Sequence, residues 1–421
     1  MRRGVLLAVI LLLAVPVGAA TVADDPDEQG IDLKKLAERR VARQRNYLPG
    51  ERVMRYGAAA MEKIGEDPHE ALALLRKLNM KRMNPFERAL IYRLLGYVSY
   101  FMQDFQAAIE NFSNAVGEEI LAPRDEGELR FSIAQLYAAL AQWRDVVASI
   151  DAWALYVPER SPLSYYLTAI AYYQLGEFDN AIINVEKAVD IAPDPKEGWL
   201  QLLAALYVKN QDYRSAAPVL EELVMRFRKK EYWSQLSLIY GALDDFRGSL
   251  AVQQIAYIQG LLEEDTELRR LARGYLYNDL PHPAALVLAE GIEAGTIESD
   301  GAALELLANS WIAAREYDES LGPLQKAADL SKNGNLYVRL GQVHMQREEW
   351  SDAVRLFQKA VARGDLKEPG NAHLLLGISH YNAKSVARAR ASFARARKYE
   401  PSRSQADLWI DHIEREARQA G

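Results

Sequence analysis

The chain has 421 residues, long enough for several globular domains or one extended array. It is 49% hydrophobic and 26% charged with a formal net charge of −7, an ordinary folded composition whose acidic surface repels nucleic acid and anionic lipid. Cysteine is absent, which excludes disulfides, thiolate catalysis and cysteine metal sites and leaves packing to hold the fold.

The first segment, 1–20, reads as a secretory signal peptide. Arg2 and Arg3 give a positive start, residues 5–15 are apolar, Pro16 breaks the run, and Gly18-Ala19-Ala20 supplies the small residues a signal peptidase needs. The run is shorter than the roughly 20 residues that cross a bilayer. No cysteine follows it, so a lipoprotein is excluded, and no later stretch is long and apolar enough to predict a transmembrane segment after cleavage.

Residues 21–50 are acidic and then basic. Asp24, Asp25, Asp27 and Glu28 predict an unstructured start. Lys34, Lys35, Arg39, Arg40, Arg43 and Arg45 follow, with Leu33, Leu36 and Val41 as the apolar face, so this part is either linker or a short helix.

From 51 to 401 the sequence repeats itself. A small residue midway along each predicted first helix recurs at Ala59, Gly96, Ala134, Ala169, Ala204, Ser237, Ala272, Ala308, Gly341 and Gly377. Spacings between these anchors run from 33 to 38 residues. Twelve residues after each anchor stands another small residue, including Ala71, Ala108, Ala181, Ala216, Ala284, Ala353 and Ala389, with only Val146 departing. Antiparallel helices approach closely only where side chains are small, so these positions predict helix crossings. An aromatic nine past the anchor fills the turn at Phe105, Trp143, Phe178, Tyr213, Phe246, Tyr317 and Trp350, and most repeats carry another three past it. No single pair can bury these rings, so neighbouring pairs must stack. Asp67-Pro68-His69-Glu70, Asn84-Pro85-Phe86-Glu87 and Asp194-Pro195-Lys196-Glu197 each place a cap, a proline and a glutamate at a predicted helix start.

This pattern resembles the tetratricopeptide repeat (TPR) family. The resemblance implies an all-α, right-handed TPR solenoid, a superhelix of about ten helix-turn-helix repeats over 51–401. Residues 402–421 then form a capping helix and tail, with Leu408, Trp409, Ile410 and Ile413 on its apolar side. It also implies a partner-binding groove at the positions three before, one after and four after each anchor. These are Arg93, Tyr97, Tyr100, Phe131, Tyr166, Ile170 and Tyr173, followed by Arg269, Arg273, Glu305, Asn309, Gln342, Met345 and Tyr381. Aromatics beside arginine suit protein or peptide partners. The paired lysine and asparagine that clamp a C-terminal carboxylate in chaperone-binding members are not seen at these positions.

Chemistry is otherwise sparse. No phosphate loop, nucleophile elbow or His-Glu-x-x-His pair is present, and the acidic run Glu263-Glu264-Asp265 falls in a predicted turn. His344 and His380 stand three past their anchors in place of an aromatic, which predicts packing; His373 is two helical turns from His380. Catalysis, a cofactor and a metal site are therefore not expected, and the repeats leave too few residues for a catalytic domain.

Overall likeness goes further. The stretches MNPFERALIYRLLGYVSYFMQDFQAAI, KEGWLQLLAALYVKNQDYRSAAPVLEELV and LLANSWIAAREYDESLGPLQKAADLS are similar to periplasmic TPR proteins of Gram-negative bacteria that occur with TonB, ExbB and ExbD. That resemblance implies a periplasmic accessory role in TonB-dependent energy transduction. The alternative is a periplasmic TPR adaptor in envelope assembly, secretion or polysaccharide export.

Overall fold

The computed structural model describes residues 31–420, so the signal-peptide reading of 1–20 and the acidic start of the linker lie outside the described residues. Among the described residues the regular structure is helical throughout. Contacts divide the chain into two compact units, with the boundary in sequence between Leu223 and Val224.

The first unit opens with α1 (Leu33–Gln44), which precedes the pairs α2 (Glu51–Lys63) with α3 (Pro68–Leu75) and α4 (Pro85–Phe101) with α5 (Phe105–Gly117). Next come α6 (Pro123–Ala139) with α7 (Trp143–Ala154), and α8 (Pro162–Leu175) with α9 (Phe178–Ile191). It ends with α10 (Glu197–Lys209) and most of α11 (Tyr213–Phe227). The second unit holds α12 (Lys230–Ala242) with α13 (Phe246–Ile258), α14 (Asp265–Tyr277) with α15 (Pro281–Glu293), and α16 (Gly301–Ala313) with α17 (Tyr317–Leu330). It continues through α18 (Asn335–Gln346) with α19 (Trp350–Arg363) and α20 (Pro369–Asn382) with α21 (Val386–Ala396), and closes with α22 (Glu400–Ala420). Counting α11 whole, these are the ten pairs that the spacing predicts.

Each of the seven turn aromatics is the first residue of a second helix. The crossings are as tight as the small residues allow. Ala108, Ala169, Ala181, Ala216, Ala308, Ala353 and Ala389 have no exposed surface, and Ala204 keeps 4%. The residue sixteen past each anchor matches the anchor in size. Where the anchor is glycine it is Phe, and a Cβ added at Gly96, Gly341 or Gly377 would lie 2.3, 2.8 or 2.5 Å from the ring of Phe112, Phe357 or Phe393. Where the anchor is alanine it is aliphatic: Ile150, Val185, Leu220, Leu288 and Leu324 follow Ala134, Ala169, Ala204, Ala272 and Ala308. Close packing of a solid-like interior requires such compensation. In the first pair the register moves by one, because Ala60 and Gly57 are buried while Ala59 is partly exposed.

The turn inside every pair after the first has one backbone solution. Seven residues past the anchor, Gln103, Ala141, Gly176, Gln211, Asp244, Asp279, Arg315, Glu348 and Lys384 all have φ between 55° and 81°. In every case the N–H of this residue donates to the carbonyl three residues back, and the next N–H donates to the carbonyl five back, as from Ala141 to Ala138 and from Gln142 to Tyr137. This double bond satisfies the last carbonyls of the helix and is the Schellman ending, which favours glycine. Glycine occupies it once, at Gly176. The left-handed region costs an L-residue about 1–2 kcal/mol. Ala141→Gly is therefore expected to raise the stability of the first unit by about 1 kcal/mol. Gly176→Ala should lower it by a similar amount, since a Cβ there meets no atom within 4 Å and the effect is purely conformational. Thermal or urea unfolding of the two variants checks both signs.

The start marks at Asp67 and Asn84 act as caps: Glu70 N and Glu87 N each donate to the cap carboxyl or amide oxygen at 2.9 Å, and Glu87 closes the box on Asn84 N, also at 2.9 Å. The third mark is corrected. Lys196 is extended, with φ −71° and ψ 148°, so α10 begins at Glu197 and not at Pro195.

The basic stretch is a helix. Asp32 caps α1 by accepting from Lys35 N at 2.9 Å. The helix folds back onto later repeats, where Arg40 Nη2 donates to Glu126 at 3.2 Å, Arg43 Nη1 to the Glu119 carbonyl at 3.2 Å, and Gln44 Nε2 to the Ile120 carbonyl at 2.7 Å. At the other end α22 covers the final pair: Ile413, Ala406 and Ser402 are buried, and Trp409 stacks on Phe393 with centroids 5.4 Å apart. Leu408, expected on that apolar side, is 64% exposed; one helical step from Trp409 turns it outward.

Candidate functional site

The predicted groove positions lie on the first helices of the pairs, and the structure sorts them by what their neighbours leave uncovered. In the first unit Tyr97, Tyr100 and Tyr173 are partly or largely open, and Arg93 is partly buried. Tyr97 meets the Phe112 ring edge-on at 5.2 Å, the same ring that fits against Gly96, so its position is fixed from below. Desolvation raises its hydroxyl pKa, with the Arg93 charge opposing, so the group stays a neutral donor at physiological pH. Arg93 reaches Asp125 of α6 at 3.8 Å, which ties the open faces of α4 and α6 together. Tyr100 packs edge-on to Phe101 at 5.5 Å, and Tyr173 lies 6.0 Å from Phe178.

Phe131, Tyr166 and Ile170 are placed differently. Phe131 is 7% exposed and packs on Trp153 at 4.9 Å. Tyr166 stacks on Trp199 of α10 at 5.1 Å, with its hydroxyl pKa raised by burial. Ile170 is buried. These three side chains fill space between neighbouring helices. Phe101, half exposed beside Tyr100, adds an apolar surface at a position outside the predicted set.

In the second unit Arg269 is a brace. Its two terminal nitrogens donate to Asp300 at 3.1 Å each, one also to Asp265 at 2.9 Å and to the Glu298 carbonyl at 3.1 Å, and its Nε donates to Asp265. Hydrogen bonding to Arg269 is the leading cause that holds both carboxyls below the usual range, and hydrogen bonding to Asp265 leads in raising Arg269. The guanidinium thus joins the start of α14 to the start of α16. Arg273 and Gln342 are exposed and Met345 is partly so. Glu305 lines an open cleft of about 490 Å³ with Ser299, Asp300, Ala327, Leu330 and Leu336. Asn309, next along that helix face, keeps a buried side-chain oxygen with no partner among the described residues. Tyr381 is covered by α22, donating to Glu416 at 2.6 Å.

His373 and His380 are buried, and desolvation lowers the pKa of each. His344, Glu349 and Asp352 can present ligand atoms within 4.8 Å of one another. Their charges are already matched, Glu349 by Arg347 at 2.8 Å and by the His344 ring, and Asp352 by Arg355 at 2.8 Å. None of the described helices is long and apolar enough to cross a membrane.

Within each unit, helices paired across small residues and packed on the next pair form a run of helix-turn-helix repeats. Tetratricopeptide-repeat models match residues 163–195 and 338–406, and the described residues are all-α helix pairs consistent with that repeat. TPR proteins are protein-interaction scaffolds. No curated protein matches the chain. Among solved structures, a tetratricopeptide repeat protein from Parabacteroides merdae is 16% identical, covering 70% of this chain and 99% of its own, with a TM-score of 0.35. MamA from Desulfovibrio magneticus is 19% identical over 42% of this chain and 97% of its own, with a TM-score of 0.36. PilW, a widely conserved type IV pilus biogenesis factor, is 14% identical over 51% of this chain and 98% of its own, with a TM-score of 0.33.

Proposed function

We propose that the chain is a periplasmic, non-catalytic protein-binding scaffold and an accessory factor of TonB-dependent energy transduction, engaging TonB-, ExbB- or ExbD-type components through the open aromatic face of its first unit. The observation that carries the binding reading is the aromatic face on the first helices of the first unit, where Tyr173 and Phe101 are exposed and Tyr97 and Tyr100 partly so, while Phe131 is buried and Tyr166 is stacked on Trp199. Tyrosine gives a large amphipathic contact at small entropic cost, and its hydroxyl orients a partner. The signal-like start and the overall likeness of the repeats support the compartment and the partner class.

The expected result concerns Tyr97→Ala combined with Tyr173→Ala. Truncating a central aromatic typically costs more than about 1 kcal/mol of binding. The double variant should keep its helical circular dichroism and lose about tenfold or more in partner capture. Crosslinking in intact periplasm followed by mass spectrometry reads both halves. Recovery of the same partners at the same yield from wild type and double variant removes this face as the binding surface; capture of secretin or polysaccharide-export components in place of the proton-driven motor removes the TonB assignment while leaving the surface standing.

A further inference from the structure

One crossing breaks the size rule by polarity. In the pair α12–α13 the anchor, the residue twelve on and the residue sixteen on are Ser237, Ser249 and Gln253, where the next pair has Ala272, Ala284 and Leu288. The three polar side chains satisfy one another in part: Gln253 Nε2 donates to Ser237 Oγ at 2.9 Å, and Ser249 Oγ donates to the Ser237 carbonyl at 2.8 Å. Two groups are left over. Gln253 Oε1 is a buried acceptor and Trp233 Nε1 a buried donor, each without a partner, and Trp233 is only 8% exposed. Both residues line one partly open pocket of about 20 Å³, shared with Ser234, Ser237, Ala256, Leu262, Glu267 and the exposed Arg270. Glu267, the carboxylate in that wall, is already engaged by Lys230 at 2.9 Å and by the backbone N–H groups of Glu263 and Glu264 at 3.1 Å.

A buried amide oxygen or indole N–H left unbonded is costly, and native interiors rarely keep one. A cavity that admits roughly 10–15 Å³ of probe volume, with two or more polar walls, holds one water. We infer that the α12–α13 pair carries a single internal water site, in which the water accepts from Trp233 Nε1–H and donates to Gln253 Oε1. The polar crossing is then a hydrated joint inside an otherwise apolar stack of helices. Ser237 supplies the nearest acceptor of Gln253 Nε2, and Ser249 lies 3.0 Å from that hydroxyl, so both serines belong to the polar joint.

The test is the water contact of one indole proton. In the full chain labelled with nitrogen-15, the indole N–H signal that disappears in Trp233→Phe belongs to Trp233. It should show cross-relaxation with water of the sign given by a long-lived bound molecule, and a high-resolution crystal structure should show density within hydrogen-bonding distance of both Trp233 Nε1 and Gln253 Oε1. The triple variant Ser237→Ala, Ser249→Ala, Gln253→Leu restores the apolar pattern of its neighbours, so it should fold with unchanged helicity and lose the water contact. An indole proton without that contact in the wild type overturns the site. So does density in which the Gln253 amide is turned to bond Trp233 directly, or a contact that survives in the triple variant.

Discussion

Gly96→Ala should destabilise the first unit, and Phe112→Leu should rescue it. A Cβ at residue 96 would sit 2.3 Å from two carbons of the Phe112 ring, and Phe112 is 2% exposed, with Tyr97 against its face, so the ring has nowhere to go. Overpacking of this kind costs about 1–3 kcal/mol, occasionally more. Alanine returns up to about 1 kcal/mol of helix propensity, so a net loss is a lower bound on the clash. Phe112→Leu by itself leaves a cavity and is also destabilising. Together the two create the alanine–leucine match already used at Ala272 with Leu288 and at Ala308 with Leu324. The double variant should therefore be more stable than the sum of the singles by roughly 1–3 kcal/mol, the coupling expected of residues in contact. Thermal unfolding of the four-member cycle reads it directly. Additive losses would show that glycine 96 is small for some reason other than the phenylalanine facing it.

Such pairings explain what the sequence could and could not disclose. Helix number, pair spacing and crossing positions were legible because they rest on side-chain size, which is written in the residue type. Gly96, Ala169 and Gly377 could be recognised without coordinates. The turn geometry was hidden. Its left-handed residue is glycine at Gly176 but Gln, Ala, Asp, Arg, Glu or Lys in the eight other pairs after the first, because two capping hydrogen bonds outweigh the backbone cost. The face for partners was half legible. Helical phase places Arg93, Phe131 and Tyr166 on equivalent positions three before their anchors, yet exposure depends on the neighbouring helix: Trp153 packs on Phe131 and Trp199 stacks on Tyr166, while Arg93 keeps part of its surface. Arg269 fits the phase of a binding residue as well, but the carboxylates that claim it stand 4 residues before and 31 residues after it in the chain.

Long separation also hides the contact with the largest single penalty, between Arg40 and Glu126, which lie 86 residues apart. Glu126 is 1% exposed and accepts from two guanidiniums, Arg40 Nη2 at 3.2 Å and Arg130 Nη2 at 2.8 Å, while the Arg130 guanidinium rests over the Tyr156 ring at 4.6 Å. Removing one member of a buried charge pair costs roughly 3–5 kcal/mol because its partner is left charged in a poorly solvated place. Glu126→Ala strands Arg40, whose other terminal nitrogen is already buried without a partner. The chain has one cheap escape: α1 can leave the surface and take Arg40 into water. The loss should then appear first as detachment of 33–44, read as rapid amide exchange there, with the pairs α4–α5 and α6–α7 still protected. Arg40→Met should do less harm, since Glu126 keeps Arg130 and the methionine stem still packs. Should α1 stay protected in Glu126→Ala, the helix is held by Gln44 and Arg43 on the loop between α5 and α6, and the ion pair contributes little to its docking.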